Sequence, residues 1–365
     1  MHQRARDNQN DFGTDVVNTI QRNFYVDDCL KSVGNEDEAV MLVKELSSLL
    51  GRGGFKLTKW TSTSRTVLAS IPEEDRMKDI RSIDLDHEAL PVERALGVFW
   101  DVEDDCFSFK VATKVTPSTR RGLLSTVSSI YDPFGFIAPY TVTAKKIIQD
   151  LTVKGLGWDE PLDDVDHNRW TCWLQDLPKL QTFRIGRCLK PPESDTLRQY
   201  ELHHFADASE IAYGTVTYLR VTDSQGSAHC SLLMAKCRLT PKKTVTVPRL
   251  ELMAAALSGK VDRMMRRELD FTLPPSVFWT DSTIVLQYII SEEKRFKTFV
   301  ANRVALIRDA SNPQQWRNVS SEMNPADDLS RGLTADEILT KSRWVNGPSF
   351  LWNERYTWPN SVVMS

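Results

Sequence analysis

The sequence has few cysteines, and their spacing does not form a metal-binding pattern. Six cysteines occur among 365 residues, with no C-x-x-C pair and no paired histidine spacing of the kind found in zinc sites. Because structural zinc sites use such pairs, zinc is not expected. No apolar run approaches the roughly 18 residues that span a membrane, and the polar N-terminal stretch does not resemble a secretion signal. We therefore expect reduced thiols inside a cell and no membrane partner.

The chain also lacks a net basic charge. Its formal net charge is -3, and 41% hydrophobic with 26% charged residues is typical of a folded globular protein. Basic residues are nevertheless concentrated between residues 234 and 267, where nine lysines and arginines stand against two acids. Such a band is typical of a surface that binds a nucleic-acid backbone, although residues 263–267 also fit the solvated face of a helix. The predicted nucleic-acid-binding residues are Lys236, Arg238, Lys242, Lys243, Arg263, Arg266 and Arg267.

Two acidic residues follow predicted strands. His203, Phe205 and Asp207 alternate along one strand, so Asp207 lies where that strand ends and the chain turns. Asp281 stands at the exit of a second, buried strand at 277–280. Each acid alone also fits a structural role, Asp207 in a turn and Asp281 as a helix cap.

Two further acids lie in the first turns of predicted helices. Glu251 follows Pro248 at the start of a helix with an apolar stripe, and Asp327 follows the predicted cap Asn324. Helix dipoles favour acids at such positions, so a structural role stays open for each of them. Four carboxylates that converge would require cations. Two Mg²⁺ ions about 3.5–4 Å apart are the usual solution in phosphodiester hydrolysis, with Mn²⁺ as the alternative ion.

The order of predicted elements from residue 200 to 332 is strand, strand, strand, helix, strand, helix, helix, strand, helix. With acids at those points, this order resembles the ribonuclease H fold. Four short motifs contain or follow the last three acids. They are Arg249-Leu250-Glu251-Leu252, Trp279-Thr280-Asp281-Ser282, Asn324-Pro325-Ala326-Asp327 and Ser330-Arg331-Gly332. These motifs resemble those of the ribonuclease H of BEL/Pao-type (Pao family) retrotransposons. The resemblance implies that Asp207, Glu251, Asp281 and Asp327, rather than Asp328, are the catalytic, metal-binding acids.

The sequence departs from related enzymes at one point. Many retroviral-type ribonucleases H place a histidine shortly before the fourth acid, and residues 319–323 contain none. Either catalysis is slow, or Glu322 substitutes for that histidine. The resemblance still implies two Mg²⁺ ions that drive attack of water on the RNA strand of an RNA/DNA hybrid.

The first hundred residues resemble the later half of a reverse-transcriptase palm. Tyr25-Val26-Asp27-Asp28 predicts a strand, a tight turn and a strand, followed by a helix at 37–50 and a strand at 55–60. A predicted hairpin of 95–100 and 106–110 resembles the primer grip. The resemblance implies that Asp27 and Asp28 are metal ligands of an incomplete polymerase site, because the family's third acid and fingers lie upstream. Polymerase activity is therefore not expected from this chain alone.

Residues 116–183 are predicted to be helical, with a turn at Tyr131-Asp132-Pro133-Phe134-Gly135 and tryptophans that pack in the core. This block resembles the thumb and connection of Pao-type elements, which has also been labelled a Pao peptidase. The chain has no Asp-Thr/Ser-Gly loop of an aspartic protease, so peptidase activity is the weakest interpretation. Residues 344–352 resemble the segment that leads toward an integrase.

The predicted fold is a multidomain α+β and α/β protein. Its predicted parts are a partial palm (1–112), a helical thumb or connection (113–196), a ribonuclease H-like mixed five-stranded sheet flanked by helices (197–335) and a tail toward an absent integrase (336–365). The leading hypothesis is a retrotransposon fragment with ribonuclease H activity; a catalytically inactive nucleic-acid-binding relic or scaffold is the alternative. Expected partners are RNA/DNA hybrid or other nucleic acid and the flanking polymerase and integrase segments. The expected location is the cytoplasm, in virus-like particles, with the nucleus as the alternative.

Overall fold

The structure is a computed structural model that describes residues 11–81, 85, 88–95, 97–111, 116–189, 197–270, 272–291 and 295–359. The chain forms two compact units, Met1–Ser108 with Arg184–Arg187, and Phe109–Phe183 with Cys188–Ser365. Both units mix helices and strands, as the predicted α+β class requires. None of the described helices is long and apolar enough to cross a membrane. The predicted divisions at residues 112, 196 and 335 stay predictions.

The first unit joins short helices to two small antiparallel sheets. Its helices are α1 (Thr14–Arg22), α2 (Glu36–Arg52), α3 (Arg65–Ala69) and α4 (Lys78–Arg81). Its strands are β1 (Phe24–Tyr25), β2 (Asp28–Cys29), β3 (Val92–Ala95), β4 (Val98–Asp101), β5 (Cys106–Ser108) and β6 (Arg184–Gly186). The helices α1 and α2 share an apolar core that contains Ile20 and Leu49, both fully buried.

The first unit confirms two predicted hairpins and corrects two predicted strands. Strands β1 and β2 pair around the turn at Val26 and Asp27, and β4 pairs with β5. The strand predicted at 95–100 begins only at Val98, because Ala95 ends β3 and pairs with Val98. The strand predicted at 55–60 is wrong, because Trp60 forms an isolated bridge with Arg76 instead of a ladder. Lys59 has a φ of 61°, and a residue in the left-handed region interrupts extended pairing. The palm assignment itself stays a prediction.

The second unit contains a sheet and the helices that cover it. Its strands are β7 (Leu197–Ala208), β8 (Ala212–Asp223), β9 (Ala228–Leu239), β10 (Val277–Thr280) and β11 (Trp316–Asn318). Its helices are α5 (Arg120–Ser129), α6 (Ala138–Val153), α7 (Asp164–Asp176), α8 (Val247–Glu268), α9 (Thr283–Ile290), α10 (Thr298–Ala310), α11 (Pro325–Arg331), α12 (Ala335–Thr340) and α13 (Ser342–Asn346). Short 3₁₀ helices lie at Leu177–Thr182, Pro313–Gln315, Ser321–Met323, Ser349–Trp352 and Arg355–Thr357.

The sheet has the strand order β11-β10-β7-β8-β9. Strands β7, β8 and β9 form an antiparallel meander, whereas β10 lies parallel to β7 and β11 lies parallel to β10. Parallel neighbours require crossover connections, and the chain enters β10 from α8 and β11 from α10. The predicted order of three strands, helix, strand, two helices, strand and helix is therefore confirmed, as is the five-stranded mixed sheet.

The two faces of the sheet bury different side chains because strand residues alternate in direction. On one face, Leu202 packs with Val261 of α8. On the other face, the ring of Phe205 stacks on that of Trp279 with centroids 5.9 Å apart. The alternation along β7 thus directs neighbouring side chains to opposite faces of the sheet. Asp207 lies on the same face as Phe205.

The predicted thumb helices pack on the sheet instead of standing apart from it. Helix α6 contacts both β9 and α11, and the Ala235 amide of β9 donates to the Phe134 carbonyl at 2.7 Å. Gly135 has a φ of +77°, and a Cβ at this position would lie 2.1 Å from the Ala235 carbonyl oxygen. The predicted turn at 131–135 is therefore the point at which the helices dock on β9. Trp170 and Trp173 stack at 4.9 Å within the helical layer, as the packing interpretation predicted.

The residues after 335 fold back over the sheet. The Tyr218 hydroxyl donates to the Trp344 carbonyl at 2.7 Å, and the Trp344 indole donates to the Phe136 carbonyl at 2.7 Å. Phe350 and Trp358 are also buried and lie beside Trp279. These aromatic side chains close the apolar face that Phe205 presents, so the segment belongs to the core of the second unit.

Candidate active site

The carboxyl ends of β7 and β10 place two of the predicted acids side by side. The parallel register pairs Ala206 with Thr280, so the next residues, Asp207 and Asp281, lie at the same edge of the sheet. Asp207 is only 5% exposed, whereas Asp281 is partly exposed. Because matched positions on neighbouring strands share one face, the two carboxylates share one environment.

Asp207 shows the electrostatic consequence of this crowding. Burial, then the negative charge of Asp281 and, more weakly, that of Asp327 raise the pKa of the Asp207 carboxyl to about 7. Hydrogen bonds oppose the shift: the Ser330 hydroxyl donates to Asp207 Oδ2 at 2.5 Å, and the Ala208 backbone also stabilises the charged form. Three of the four predicted acids therefore lie within electrostatic reach of one another.

Glu251 lies in the second turn of α8, not in the first as predicted, because the helix begins at Val247, before Pro248. Leu250 and Ala254 of this helix pack against Ala206 in one apolar cluster. The Ser282 hydroxyl donates to Glu251 Oε2 at 2.6 Å. Burial raises the pKa of the Glu251 carboxyl, the hydroxyl lowers it, and the charge of Asp281 raises it again. The packing of α8 thus brings Glu251 to the edge of the sheet that holds Asp281.

Asp327 is positioned by the buried cap of α11. The Asn324 side chain accepts from the Ala326 amide at 3.1 Å and donates to the Ala206 carbonyl at 3.2 Å, which ties the helix start to β7. Asp327 accepts from Arg331 Nε at 2.5 Å. Its neighbour Asp328 is instead buried against Arg343, at 2.6 Å. The structure thus places Asp327, and not Asp328, with the strand-end acids.

Several partners of the acids were not predicted from the sequence. The Ser321 hydroxyl donates to Asp281 Oδ2 at 2.5 Å, and Ser330 and Arg331 hold Asp207 and Asp327. Ser282 could have been recognised as the cap of α9, since its side chain accepts from the Val285 amide at 3.2 Å. Serine at 321 and 330 carries no comparable local signal.

The four acids suit a divalent cation by their chemistry. All are carboxylates, which are the ligands that Mg²⁺ prefers. Burial first, and then repulsion from Asp281, raises the pKa of Asp207 and of Glu251, and a nearby cation would oppose both effects. Among the residues that the structure describes, no three His, Cys, Asp or Glu side chains are arranged as a ready-made metal site. Hydroxyl and guanidinium groups hold carboxylate oxygens of all four acids. Ion binding would therefore have to displace or share these partners.

The acids of the predicted polymerase site lie in the first unit. Asp27 follows Val26 in the turn, and Asp28 begins β2. Both side chains are exposed. Val26 has a φ of 58°, which is unusual for a β-branched residue and closes the two-residue turn. The metal-binding role of Asp27 and Asp28 stays a prediction.

Comparison with known proteins identifies the region around the acids. Residues 119–282 match the Pao retrotransposon-like RNaseH-like domain. The match begins at the cap of α5 and ends directly after Asp281, so it contains Asp207, Glu251 and Asp281. It also includes helices α5 to α7, which pack on the sheet. No curated protein matches the chain.

Solved structures of ribonuclease H are similar to part of the chain at low identity. The N-terminal RNase H domain of Rv2228c from Mycobacterium tuberculosis, fused to maltose-binding protein, is 12% identical and matches 40% of this chain and 99% of its own, with a TM-score of 0.25. LC11-RNase H1 in complex with an RNA/DNA hybrid is 14% identical over 36% of this chain and 93% of its own, with a TM-score of 0.26. The foamy viral protease-reverse transcriptase in complex with dsDNA is 13% identical over 65% of this chain and 47% of its own, with a TM-score of 0.20.

The basic residues predicted to bind nucleic acid fall into two groups. The first group lies in β9 and directly after it, and the second group lies on α8. Lys236 of β9 is partly exposed and donates to the Pro133 carbonyl at 3.4 Å. Arg238, Lys242 and Lys243 are exposed near the end of β9. These four residues lie close together in the sequence, and all but Lys236 are exposed.

The second group lies on α8 and has acidic partners. Arg263 pairs with Asp309, and Arg267 pairs with Glu268 at 2.7 Å. Arg266 is partly buried: it contacts Asp262 at 3.2 Å and the Ser276 hydroxyl at 2.8 Å. Arg266 thus secures the chain before β10. The group fits the interpretation as a charged helix face better than the first group does.

Proposed function

We propose that the chain is a ribonuclease H-type nuclease that hydrolyses the RNA strand of RNA/DNA hybrids with the help of divalent metal ions. The observation that carries this proposal is the position of Asp207 and Asp281 at the carboxyl ends of the paired strands β7 and β10, where the charge of Asp327 also acts on Asp207. Acids buried together at a strand end are costly in a purely structural protein, because each disfavours ionisation of the others. Their occurrence within a Pao retrotransposon-like RNaseH-like domain supports a nuclease role.

Asp207, Glu251, Asp281 and Asp327 would hold Mg²⁺, with Mn²⁺ as a substitute. The bound ions would supply an activated water and neutralise the charge that develops on the cleaved phosphodiester. The other residues of the site would hold these carboxylates in position. Ser282 and Ser330 orient Glu251 and Asp207 through hydrogen bonds of 2.6 and 2.5 Å, and the Asn324 cap fixes α11 against β7. Products of this reaction class carry a 3′-hydroxyl and a 5′-phosphate.

The substrate backbone would be held by the basic residues that face solvent. Lys236, Arg238, Lys242 and Lys243 extend along the end of β9 and the loop that leads into α8. Arg249, two residues before Glu251, lies over the Phe299 ring at 5.3 Å, with Arg303 on the same ring at 3.8 Å. Arg249 and Arg303 thus add positive charge near Glu251 in the second turn of α8. Such side chains bind phosphates irrespective of sequence.

A catalytically silent nucleic-acid-binding protein is the second candidate. It is favoured by the partners that hold the carboxylates and by the lack of a histidine at 319–323. Glu322 is exposed and remains the proposed substitute for that histidine. We also propose that residues 1–112 form a partial reverse-transcriptase palm. The proposed partners of the chain are the flanking polymerase and integrase segments of a polyprotein.

The proposal is tested with a uniform RNA/DNA hybrid labelled on the RNA strand. The chain should cut the RNA strand in Mg²⁺ or Mn²⁺ and leave 5′-phosphate ends, and excess chelator should stop the reaction. RNA/RNA and DNA/DNA duplexes of the same sequence are the matched controls and should stay intact. Binding of the hybrid without any cleavage in either metal would favour the silent protein.

A further inference from the structure

We propose that Arg331 is a built-in counter-ion of the acid cluster, which competes with Mg²⁺ for Asp327 and so sets the ion concentration at which the site fills. This inference rests on the proposed metal-dependent function. It assigns to the last residue of α11 a role in ion binding that is separate from substrate binding and from the chemical step.

The geometry places Arg331 directly on one of the acids. Arg331 follows Asp327 by one helical turn, and its Nε donates to Asp327 Oδ1 at 2.5 Å. The Arg331 side chain is 65% exposed and that of Asp327 is 24% exposed. The guanidinium is therefore a solvent-exposed partner of a less exposed carboxylate, and an ion that binds Asp327 would meet its charge.

The charge of Arg331 acts on more than its direct partner. The negative charges of Asp327, Asp207 and Asp281 all raise the pKa of the guanidinium. No other lysine or arginine of the described residues forms an ion pair with any of the four acids. Ser330, the preceding residue, holds Asp207. The end of α11 thus compensates the acid cluster with one hydroxyl and one cation.

An exposed arginine is suited to competition because it is held weakly. Exposed ion pairs contribute little to stability, and their loss changes an equilibrium by about two- to fivefold. A Mg²⁺ ion that takes Asp327 Oδ1 must displace the guanidinium and be repelled by its charge. Removing the charge should therefore tighten Mg²⁺ binding, and should destabilise the metal-free protein relative to the Mg²⁺-bound protein.

The test is calorimetric titration of the full chain with Mg²⁺ alone, without nucleic acid. Arg331→Gln should bind Mg²⁺ about two- to fivefold more tightly than the unaltered chain, and Arg331→Lys should stay close to it. The matched control is Arg121→Gln, since Arg121 is also 65% exposed and pairs with Asp159 at 2.7 Å. This control should leave the affinity unchanged. In an Asp327→Asn background, Arg331→Gln should tighten binding less than it does in the unaltered chain, because the direct competition for Asp327 is gone.

Thermal melts supply an independent readout, because Mg²⁺ should raise the melting temperature more in Arg331→Gln than in the unaltered chain. Equal or weaker Mg²⁺ binding by Arg331→Gln would overturn the role of Arg331 and leave the proposed nuclease intact. If neither protein binds Mg²⁺, the metal-dependent function fails, and the inference fails with it.

Discussion

At Asp207, burial and neighbouring negative charge both oppose ionisation. A carboxylate in this position is compensated either by a proton or by a cation. The hydroxyl of Ser330 stabilises the charged form only in part, because the pKa stays raised to about 7. Asp207 is therefore balanced between its protonated and ionised forms close to neutral pH, and the proposed Mg²⁺ would favour the ionised form.

This balance predicts a pH dependence of stability when chelator is present. The folded state keeps a proton on Asp207 up to pH about 7, whereas the unfolded chain releases it near pH 3.9, roughly. The stability that this proton contributes is thus complete below about pH 4 and is lost as the pH rises through about 7. Thermal melts of the unaltered chain and of Asp207→Asn should differ in slope over this range. Mg²⁺ should reverse the loss at pH about 8, and equal slopes for both proteins would contradict the account.

The acids themselves could be predicted from the sequence, because strand ends and helix starts leave local patterns. Their partners could not. Ser330 reaches Asp207 across 123 residues of sequence, and such a contact depends on how α11 packs against β7. Arg331 stands at the helical spacing of an ion pair with Asp327, yet only the fold shows that Asp207 and Asp281 lie within its reach.

At the scale of elements, the sheet and its helices followed from periodicity, whereas the strand at 55–60 did not form. A segment such as 55–60 forms a strand only if a partner strand is available, and Trp60 instead forms a single bridge with Arg76. The turn at 131–135 was predicted as a connection between helices. Its second role, docking α5 and α6 on β9, depends on the close approach of Gly135 to Ala235.

Two glycines allow a matched test of this docking. Gly135 and Gly155 have φ values of +77° and +78°, but an added Cβ meets the Ala235 carbonyl only at Gly135. Gly155→Ala should cost about 1 kcal/mol from backbone strain. Gly135→Ala should cost about 3 kcal/mol, because the clash adds to the strain. Urea midpoints measure both, and equal losses would contradict the close packing of the turn on β9.

At the scale of the whole molecule, the motifs predicted four parts of the chain, whereas its packing forms two compact units. The helices of 116–176 and the residues after 335 cover a sheet that cannot bury its apolar faces alone. Trp344, for instance, is fully buried and joins Tyr218 to Phe136. Such long-range contacts are invisible to local periodicity. The acid cluster therefore depends on a unit larger than the predicted residues 197–335.

The central claim is that the acid cluster performs the cleavage, and Asp281 is the acid that links the others. Asp281→Asn keeps the shape and removes one charge, so cleavage of the labelled hybrid in Mg²⁺ should fall by about 100-fold or more. Binding of the hybrid should persist, because the proposed phosphate contacts are made by basic residues elsewhere. The exposed Asp164 of α7 supplies the control Asp164→Asn, which should cut normally.

The measurement that decides is the cleavage rate of the unaltered chain, Asp281→Asn and Asp164→Asn on one hybrid at one Mg²⁺ concentration. The account predicts cleavage by the first and third proteins, and binding without cleavage by Asp281→Asn. Cleavage by Asp281→Asn at the rate of the unaltered chain would contradict it, because the chemistry would then lie outside the cluster of Asp207, Glu251, Asp281 and Asp327.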